Sequence, residues 1–175
     1  MSGGGLRLER LSADHEVAGF TCGVEELDGW LRRHAMAAQQ MDSARTFVVT
    51  RGVRVVGYVS LTMGTVPRAE APRVLVRGMP AYPVGMVLIA RLAVEQAEQG
   101  GGLGARLLAE ALRMALVAGD AVAARLIVVD AIDERAAQFY RQHGFTAPLG
   151  DPLRLYRRMK EVRVSMQPAE HRANP

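Results

Sequence analysis

A cluster of glycines follows an apolar segment in the second half of the chain. Residues 86–94 are apolar on both faces apart from Arg91, and residues 100–104 contain four glycines directly after Gln99. An uninterrupted apolar run is typical of a strand that is buried within a sheet. Glycine has no Cβ to hold a ligand away, and the first amides of a following helix present free N–H groups and a positive dipole end. The segment therefore predicts a turn that holds a diphosphate.

These glycines also have a simpler interpretation, because a strand-to-helix turn can be rich in glycine only to allow tight packing. Two well-known phosphate-binding patterns do not fit. A P-loop would carry a Lys-Ser or Lys-Thr pair after its last glycine, and none is present here. A Rossmann site would open a repeated βαβ pattern, whereas this segment lies past mid-chain after apparent antiparallel strands. Taken alone, the glycines leave both tight packing and phosphate binding open.

The elements that must position this turn follow from hydrophobic periodicity and from Gly and Pro positions. Residues 67–83 contain four prolines and are expected to form a long loop without regular structure. The other predicted elements are a strand over 6–11, a helix start within 12–24, a helix over about 27–41, a hairpin of strands 46–50 and 53–61, a strand over 86–94, a helix from about 102 to 118 that ends before Gly119, a strand over 125–130, a helix from Asp133 to about His143, and a strand over 154–161.

Length and composition set further bounds. With 175 residues, of which 49% are hydrophobic, the chain can bury one good core, and we expect a single domain over residues 1–161 with a disordered polar tail over 162–175. A single cysteine, Cys22, excludes an internal disulfide and a cysteine-based zinc site, and no metal is expected. No apolar run approaches the length needed to cross a membrane, and residues 1–5 lack the apolar core of a signal peptide, so a cytoplasmic location is expected. Lys160 is the only lysine, and the net charge of +4 therefore depends on arginine, which suits phosphate contacts.

Two segments resemble motifs of the GNAT superfamily of acetyl-CoA-dependent N-acetyltransferases, and the likeness extends over residues 6–160. Gln99, Gly102 and Gly104 match motif A, which reads Gln or Arg, two residues, Gly, any residue, then Gly or Ala. Residues 130–145 resemble motif B, with its Phe-Tyr pair and its Gly-Phe ending. The resemblance implies an α+β fold, a mixed α/β arrangement in which helices flank both sides of a central, mainly antiparallel sheet of six or seven strands.

The resemblance also implies roles for individual residues. In the family, the strand end that corresponds to residues 92–94 binds the acetyl and pantetheine parts of acetyl-CoA through its backbone, and the amide of Val94 would face the oxyanion. Tyr140 matches the family tyrosine that protonates the sulfur of coenzyme A, although an ordinary packed aromatic beside Phe139 is the alternative. Asp133 stands where many members carry an Asn that contacts the cofactor, and helix capping explains it equally well. The expected cofactor-binding residues are Leu92, Ala93, Val94, Gln99, Gly100, Gly101, Gly102, Leu103, Gly104, Ala105, Asp133 and Phe139.

One branch of the family is the most similar. Residues 20–23, 56–58, 90–94 and 129–131 resemble the GNAT toxins of bacterial toxin–antitoxin pairs, which acetylate the α-amino group of aminoacyl-tRNA and stop translation. This resemblance implies aminoacyl-tRNA as the substrate and a small DNA-binding antitoxin as a partner, and it allows a homodimer. The candidate tRNA contacts are Arg91, Arg32, Arg33, Arg77 and Arg154.

The chemistry of the acceptor supports this branch, because no acidic residue lies within the central strand where a general base would be expected. Glu95, Glu98 and Asp130 lie near it in sequence and can each be solvated carboxylates. A lysine side chain with a pKa of about 10.4 would need such a base, whereas an α-amine with a pKa of about 8 is already partly neutral at pH 7. Two other functions stay open: a housekeeping acetyltransferase acting on a small amine or a protein N-terminus, and a non-catalytic acyl-CoA-binding module.

Overall fold

The computed structural model describes residues 7–168, which form six strands and six α-helices. In chain order these elements are β1 Glu9–Arg10, α1 Glu25–Arg33, α2 Ala35–Gln40, β2 Arg45–Arg51, β3 Arg54–Val66, α3 Arg73–Val76, β4 Val84–Val94, a short 3-10 helix Gln96–Glu98, α4 Leu103–Val122, β5 Leu126–Asp130, α5 Glu134–Gln142, β6 Arg154–Arg158 and α6 Met159–Ser165. The predicted order of strands and helices around the glycines is confirmed.

The strands form one sheet in which they follow each other in chain order from β1 to β6. The pairs β1–β2, β2–β3 and β5–β6 are antiparallel, which confirms the mainly antiparallel, mixed α+β fold. The β2–β3 hairpin turns at Gly52, whose φ of +64° favours glycine. Between β4 and β5 the chain crosses over through α4, and Arg125 N–H donates to Gly85 O (2.9 Å). The strands β4 and β5, which are neighbours in the interior of the sheet, therefore begin side by side.

The described residues fall into two compact units. The first unit contains residues 7–62 together with residues 89–111. Its main core cluster joins β2, β3 and the end of β4 to the first two helices, and includes Phe20, Leu31, Val48, Tyr58 and Ala93. A second cluster in this unit packs Val56 against Leu107 of α4. The unit thus holds the glycine-rich segment between a buried strand and a buried helix face.

The second unit contains residues 63–88 and residues 112–168. Its core cluster joins the end of β3, the start of β4, α3, β5 and β6, and includes Val66, Leu75, Val84, Leu126 and Tyr156. The segment over 67–83 was expected to have no regular structure, but it contains the one-turn helix α3. Leu75 and Val76 of α3 are buried, so tertiary burial stabilises a turn that the surrounding prolines did not predict.

Two predicted helix boundaries are wrong in the first half of the chain. No helix starts within residues 12–24, and α1 begins at Glu25. The predicted helix over 27–41 is broken at His34 into α1 and α2, and Met41 is largely exposed instead of continuing the apolar face. The strand predicted over 6–11 is only Glu9–Arg10, and Leu6 lies outside the described residues.

The helix α4 is longer than predicted, because it continues through Gly119 to Val122. A Cβ at position 119 would lie 2.8 Å from Cε of Met159, so the Met159 side chain packs directly against this glycine. Glycine weakens a helix by only about 1 kcal/mol relative to alanine, which tertiary packing can offset. The chain leaves the helix at Ala123, where φ is +60°.

The C-terminal prediction is also partly wrong. The strand expected over 154–161 ends at Arg158, and residues Met159–Ser165 form α6 instead of an extended strand and the start of a disordered tail. Met159 and Val162 are buried at helical spacing, and Met159 N–H donates to Arg125 O (2.9 Å). Burial of this apolar pair explains why residues 162–165 are ordered. Residues 169–175 of the predicted tail lie outside the described residues.

Candidate active site

The glycine turn, defined as residues 99–105, provides backbone donors and open space. Gly100 and Gly102 have φ of +84° and +83°, and a Cβ built at either position would meet no atom within 4 Å. The first backbone bond of α4 runs from Arg106 N–H to Gly102 O (3.2 Å). The amides of Leu103, Gly104 and Ala105 precede that bond, and no hydrogen bond within residues 7–168 uses them. The residues present therefore fit a diphosphate, whose oxygens can accept from these N–H groups.

The side chain of Gln99 holds the glycine turn against neighbouring backbone through hydrogen bonds. Its Nε2 lies 2.9 Å from Cys22 O and 2.9 Å from Val94 O, so both amide hydrogens are donated to backbone carbonyls of the protein. Gln96 N–H also donates to Thr21 O (2.9 Å). The glycine turn is thus tied to the end of β4 and to the segment that precedes α1. The backbone N–H of Gln99 donates to Gln96 O (3.2 Å) as well, so every donor of this residue is used within the protein. A cofactor contact of Gln99 stays a prediction.

The end of β4 carries the residues that were expected to contact the acetyl group. Leu92 and Val94 pack with the small cluster of Val56 and Leu107, whereas Ala93 belongs to the main core cluster on the opposite face of the strand. Glu95 N–H donates to Val56 O (2.9 Å), which fixes the peptide that follows Val94. The strand end is therefore held on both faces. The proposed oxyanion contact of Val94 stays a prediction.

Three carboxylates that were considered as a general base are all paired with arginines. Both oxygens of Glu95, which is only 6% exposed, accept from Arg54 Nη1 at 2.5 and 2.6 Å. Glu98 forms two hydrogen bonds with Arg51, and the donated side-chain bonds hold the pKa of Glu98 below its usual value. Asp130 lies 3.5 Å from Arg154 Nε. None of the three is a free general base, and the buried ion pair of Glu95 was missed because its partner is distant in sequence.

The five arginines proposed as tRNA contacts differ in their partners. Arg32 and Arg33 both pair with Glu25, and Arg154 pairs with Asp130. Arg77 is exposed and has no hydrogen bond or ion pair among the described residues. Arg91 is placed differently again, because its Cζ lies 4.3 Å from the centroid of the Trp30 ring. No pattern in the sequence indicates this cation–π contact.

Tyr140 lies in the second unit, on α5, within an aromatic cluster. Its ring is 6% exposed and makes edge contacts with Phe139 and Phe145, at centroid distances of 5.1 and 5.8 Å. The Phe139 ring in turn contacts the His143 ring at 4.6 Å. Within residues 7–168 the hydroxyl of Tyr140 has no hydrogen-bond partner. Burial raises the pKa of Tyr140 above its ordinary value, so the phenol stays protonated at neutral pH and keeps its proton available to an external acceptor.

Asp133 begins the same helix. Its carboxylate Oδ1 accepts the N–H of Ala136 at 2.8 Å, which is the geometry of an N-cap. Capping therefore accounts for this residue, and a cofactor contact of Asp133 stays a prediction. No group of three His, Cys, Asp or Glu side chains in the described part of the chain could hold a metal ion. None of its helices is both long and apolar enough to cross a membrane.

The chain is similar to known acetyltransferases in sequence and in structure. Residues 42–147 match the sequence model of the acetyltransferase (GNAT) domain. A tRNA-acetylating toxin of Mycobacterium tuberculosis is 40% identical over 155 residues, which are 89% of this chain and 93% of that protein.

Two solved structures are similar over nearly the whole chain. AtaT complexed with acetyl-methionyl-tRNAfMet has a TM-score of 0.83 and 27% identity, covering 92% of this chain and 99% of that one. A tyrosine-to-phenylalanine mutant of the AtaT toxin, bound to the C-terminus of the antitoxin AtaR and acetyl-CoA, has a TM-score of 0.80 and 28% identity, covering 91% and 97%. The range that matches the acetyltransferase domain model, 42–147, includes the glycine turn and the helix that carries Tyr140.

Proposed function

Because this chain belongs to the GNAT acetyltransferase family, and is therefore an acetyl-CoA-dependent N-acetyltransferase, we propose that its acceptor is the α-amino group of an aminoacyl-tRNA. The observation that supports this acceptor most is the 40% identity to a tRNA-acetylating toxin over 89% of the chain. The likeness to AtaT complexed with acetyl-methionyl-tRNAfMet supports it as well. On this proposal the protein is a toxin that blocks translation by making charged tRNA unusable.

The reaction needs three things: a neutral amine, a stabilised oxyanion and a proton for the departing thiolate. Acetyl-CoA supplies the activated acetyl group as a thioester. The amides of Leu103, Gly104 and Ala105 would hold its diphosphate, and the backbone of residues 92–94 would hold the pantetheine and the acetyl group. The N–H of Val94 would donate to the carbonyl oxygen as negative charge develops there.

Tyr140 would supply the proton. Burial raises its pKa further above the value of about 8 to 9 that is usual for a thiol, so the phenol is protonated at pH 7 and can donate a hydrogen bond to the sulfur as negative charge develops there. The hydroxyl has no competing acceptor among residues 7–168. Tyr140 therefore has the protonation state that a general acid needs.

The acceptor must lose its proton without a dedicated base. Glu95, Glu98 and Asp130 are all paired with arginines, so none of the three is a free carboxylate that could take this role. An α-amine with a pKa of about 8 is about one tenth neutral at pH 7, whereas a lysine amine with a pKa of about 10.4 is almost entirely charged. The paired carboxylates thus favour an α-amino acceptor over a lysine side chain.

The remaining assignments follow the same proposal. We assign to the chain a small DNA-binding antitoxin as its partner, since an AtaT structure that it resembles contains the C-terminus of the antitoxin AtaR. We also propose a cytoplasmic location, where charged tRNA occurs. Residues 1–161 remain our proposed acetyltransferase domain, to which α6 adds residues up to Ser165.

The test is incubation of the purified protein with acetyl-CoA and charged total tRNA, followed by nuclease digestion and mass analysis of the aminoacyl-adenosines. We expect an N-acetylated aminoacyl-adenosine that depends on both acetyl-CoA and protein. Thiol release with small amines or peptides, without any acetylated aminoacyl-adenosine, would identify a housekeeping enzyme instead. Binding of acetyl-CoA without thiol release for any amine would identify a non-catalytic module.

A further inference from the structure

Three residues of the first unit form an aromatic stack that ends in a cation, here called the Arg91 stack. The rings of Tyr58 and Trp30 are nearly parallel, with an interplanar angle of 16° and centroids 6.0 Å apart. The guanidinium carbon of Arg91 lies 4.3 Å from the Trp30 centroid. Tyr58 is completely buried, and its hydroxyl donates to Leu27 O (2.8 Å). The cation is therefore positioned by aromatic rings that are anchored in the core.

The N–H donors of the Arg91 guanidinium are not used by any partner within residues 7–168. The guanidinium forms no ion pair and no hydrogen bond there, in contrast to Arg32 and Arg33 on the neighbouring helix, which pair with Glu25. The buried acid of that helix, Asp28, accepts Cys22 N–H (2.7 Å). A ring face attracts a cation by about 0.5 to 2 kcal/mol but leaves the N–H groups free to donate to another partner. A half-buried arginine of this kind is suited to bind an external anion.

The position of Arg91 along β4 relates this anion to the reaction. Arg91 lies three residues before Val94, a distance of about 10 Å along a strand. It is on the same face of the strand as Ala93, which packs in the cluster that contains Tyr58 and Trp30. An anion bound by the Arg91 stack therefore lies close to the strand end that is proposed to contact the acetyl group.

We infer that Arg91 donates to the last internucleotide phosphate of the acceptor tRNA, the phosphodiester nearest to the aminoacyl ester. This inference rests on the proposed function. In an aminoacyl-tRNA the α-amine is esterified to the terminal ribose, and that phosphodiester is its nearest fixed negative charge. A planar guanidinium can make two parallel hydrogen bonds to phosphate oxygens. A free amino acid or a peptide N-terminus has no such group, so Arg91 is a positioning residue that selects a nucleic-acid-linked amine.

The experiment removes the two proposed partners separately and together. Wild-type protein and Arg91→Gln are assayed on full-length aminoacyl-tRNA whose last linkage is either a phosphate or an uncharged methylphosphonate. We expect each single change to lower kcat/KM about ten- to a hundredfold, the range for a hydrogen bond to a charged group. The combined change should cost little more than either one, because both remove the same contact.

Two results would overturn the inference. One is an unchanged kcat/KM of the wild type on the methylphosphonate substrate, a measurement that needs no variant and does not depend on how Arg91→Gln folds. The other is two losses that multiply in the combined change, since this would mean that Arg91 acts without contacting the phosphate. Arg91→Lys, which keeps the charge without the planar fork, should recover part of the activity.

Controls separate this inference from the proposed function. Arg163→Gln removes an exposed arginine that pairs with Asp120, and it should respond to the methylphosphonate as the wild type does. Calorimetry of Arg91→Gln with acetyl-CoA should give the wild-type affinity, because the glycine turn is not altered. Failure of the wild type to acetylate any aminoacyl-tRNA would overturn the proposed function itself. Acetylation of both substrates at one rate would leave that function standing and remove only the role of Arg91.

Discussion

The glycine turn and the aromatic cluster around Tyr140 are built in opposite ways. In the glycine turn the hydrogen-bond donors are backbone amides, and Gly100 and Gly102 have no side chain that would fill the space beside them. Around Tyr140 the backbone belongs to a regular helix, and the chemistry is concentrated in one hydroxyl on a buried ring. The first region can be damaged by adding a carbon atom, and the second by removing an oxygen atom.

The comparison teaches how each region can be tested without unfolding it. A positive φ and an empty neighbourhood occur also at Gly52 in the β2–β3 hairpin, which has no proposed ligand. A buried tyrosine ring occurs also at Tyr156 in β6, which has no proposed role in the reaction. Each region therefore has a structurally comparable residue elsewhere in the chain. If the same substitution affects activity at one residue and not at the other, the difference reports function and not folding.

The largest effect is expected for Tyr140→Phe, which removes only the hydroxyl. The rate constant kcat for acetyl transfer should fall about a hundredfold or more, because a general acid contributes about 10² to 10⁴ to a rate. The affinity for acetyl-CoA should stay near that of the wild type, since no backbone donor is changed. Steady-state kinetics with aminoacyl-tRNA measure the first quantity and calorimetry measures the second.

Tyr156→Phe is the matched control, because it removes a hydroxyl from a ring that is 1% exposed and leaves the proposed reaction intact. Its kcat should equal that of the wild type. An equal loss of kcat in both variants, together with equal loss of thermal stability, would mean that Tyr140 is only a packed aromatic. In that case the contrast between the two regions would disappear.

The next largest effect is expected for Gly102→Ala, and Gly52→Ala is its matched control. Both residues have a positive φ, +83° and +64°, and both would place a Cβ in open space. Each substitution should cost about 1 to 2 kcal/mol of unfolding free energy, the penalty for an L-residue in this region. Only Gly102→Ala should raise the Kd for acetyl-CoA, by about tenfold, because its methyl group would enter the space reserved for the diphosphate. Equal Kd values for the two variants would contradict phosphate binding by the turn and favour tight packing.

The same two regions show how far a sequence can predict a site. The glycine turn could be predicted because its signal is local: an apolar run, a few glycines and a helical repeat lie within about twenty consecutive residues. The identity of Tyr140 as a candidate came from its motif, also a local signal. The hairpin around Gly52 was predicted for the same reason, since turn residues and alternation are properties of neighbours in the chain.

What could not be predicted depends on contacts between distant residues. Arg54 pairs with Glu95, 41 positions away, and no pattern in either segment indicates that partner. Gly119 continues α4 because Met159 packs against it, although glycine alone favours a helix end. The pairing of Trp30 with Arg91 is of the same kind. Tertiary packing thus decides which polar groups are used within the fold and which stay available for a substrate.

A smaller effect is expected for Gln99→Glu, which tests whether the glycine turn is as independent of side chains as it looks. The carboxylate cannot donate to Cys22 O and Val94 O, and its charge would repel both carbonyls. The turn and the end of β4 should separate slightly, and kcat/KM for acetyl-CoA should fall about fivefold, the value of one ordinary hydrogen bond. Gln96→Glu is the control, because it adds the same charge three residues earlier, where the side-chain amide makes no hydrogen bond within residues 7–168. A fivefold loss at position 99 alone would mean that one side chain holds the backbone donors in place, whereas equal losses at both positions would reduce the effect to charge.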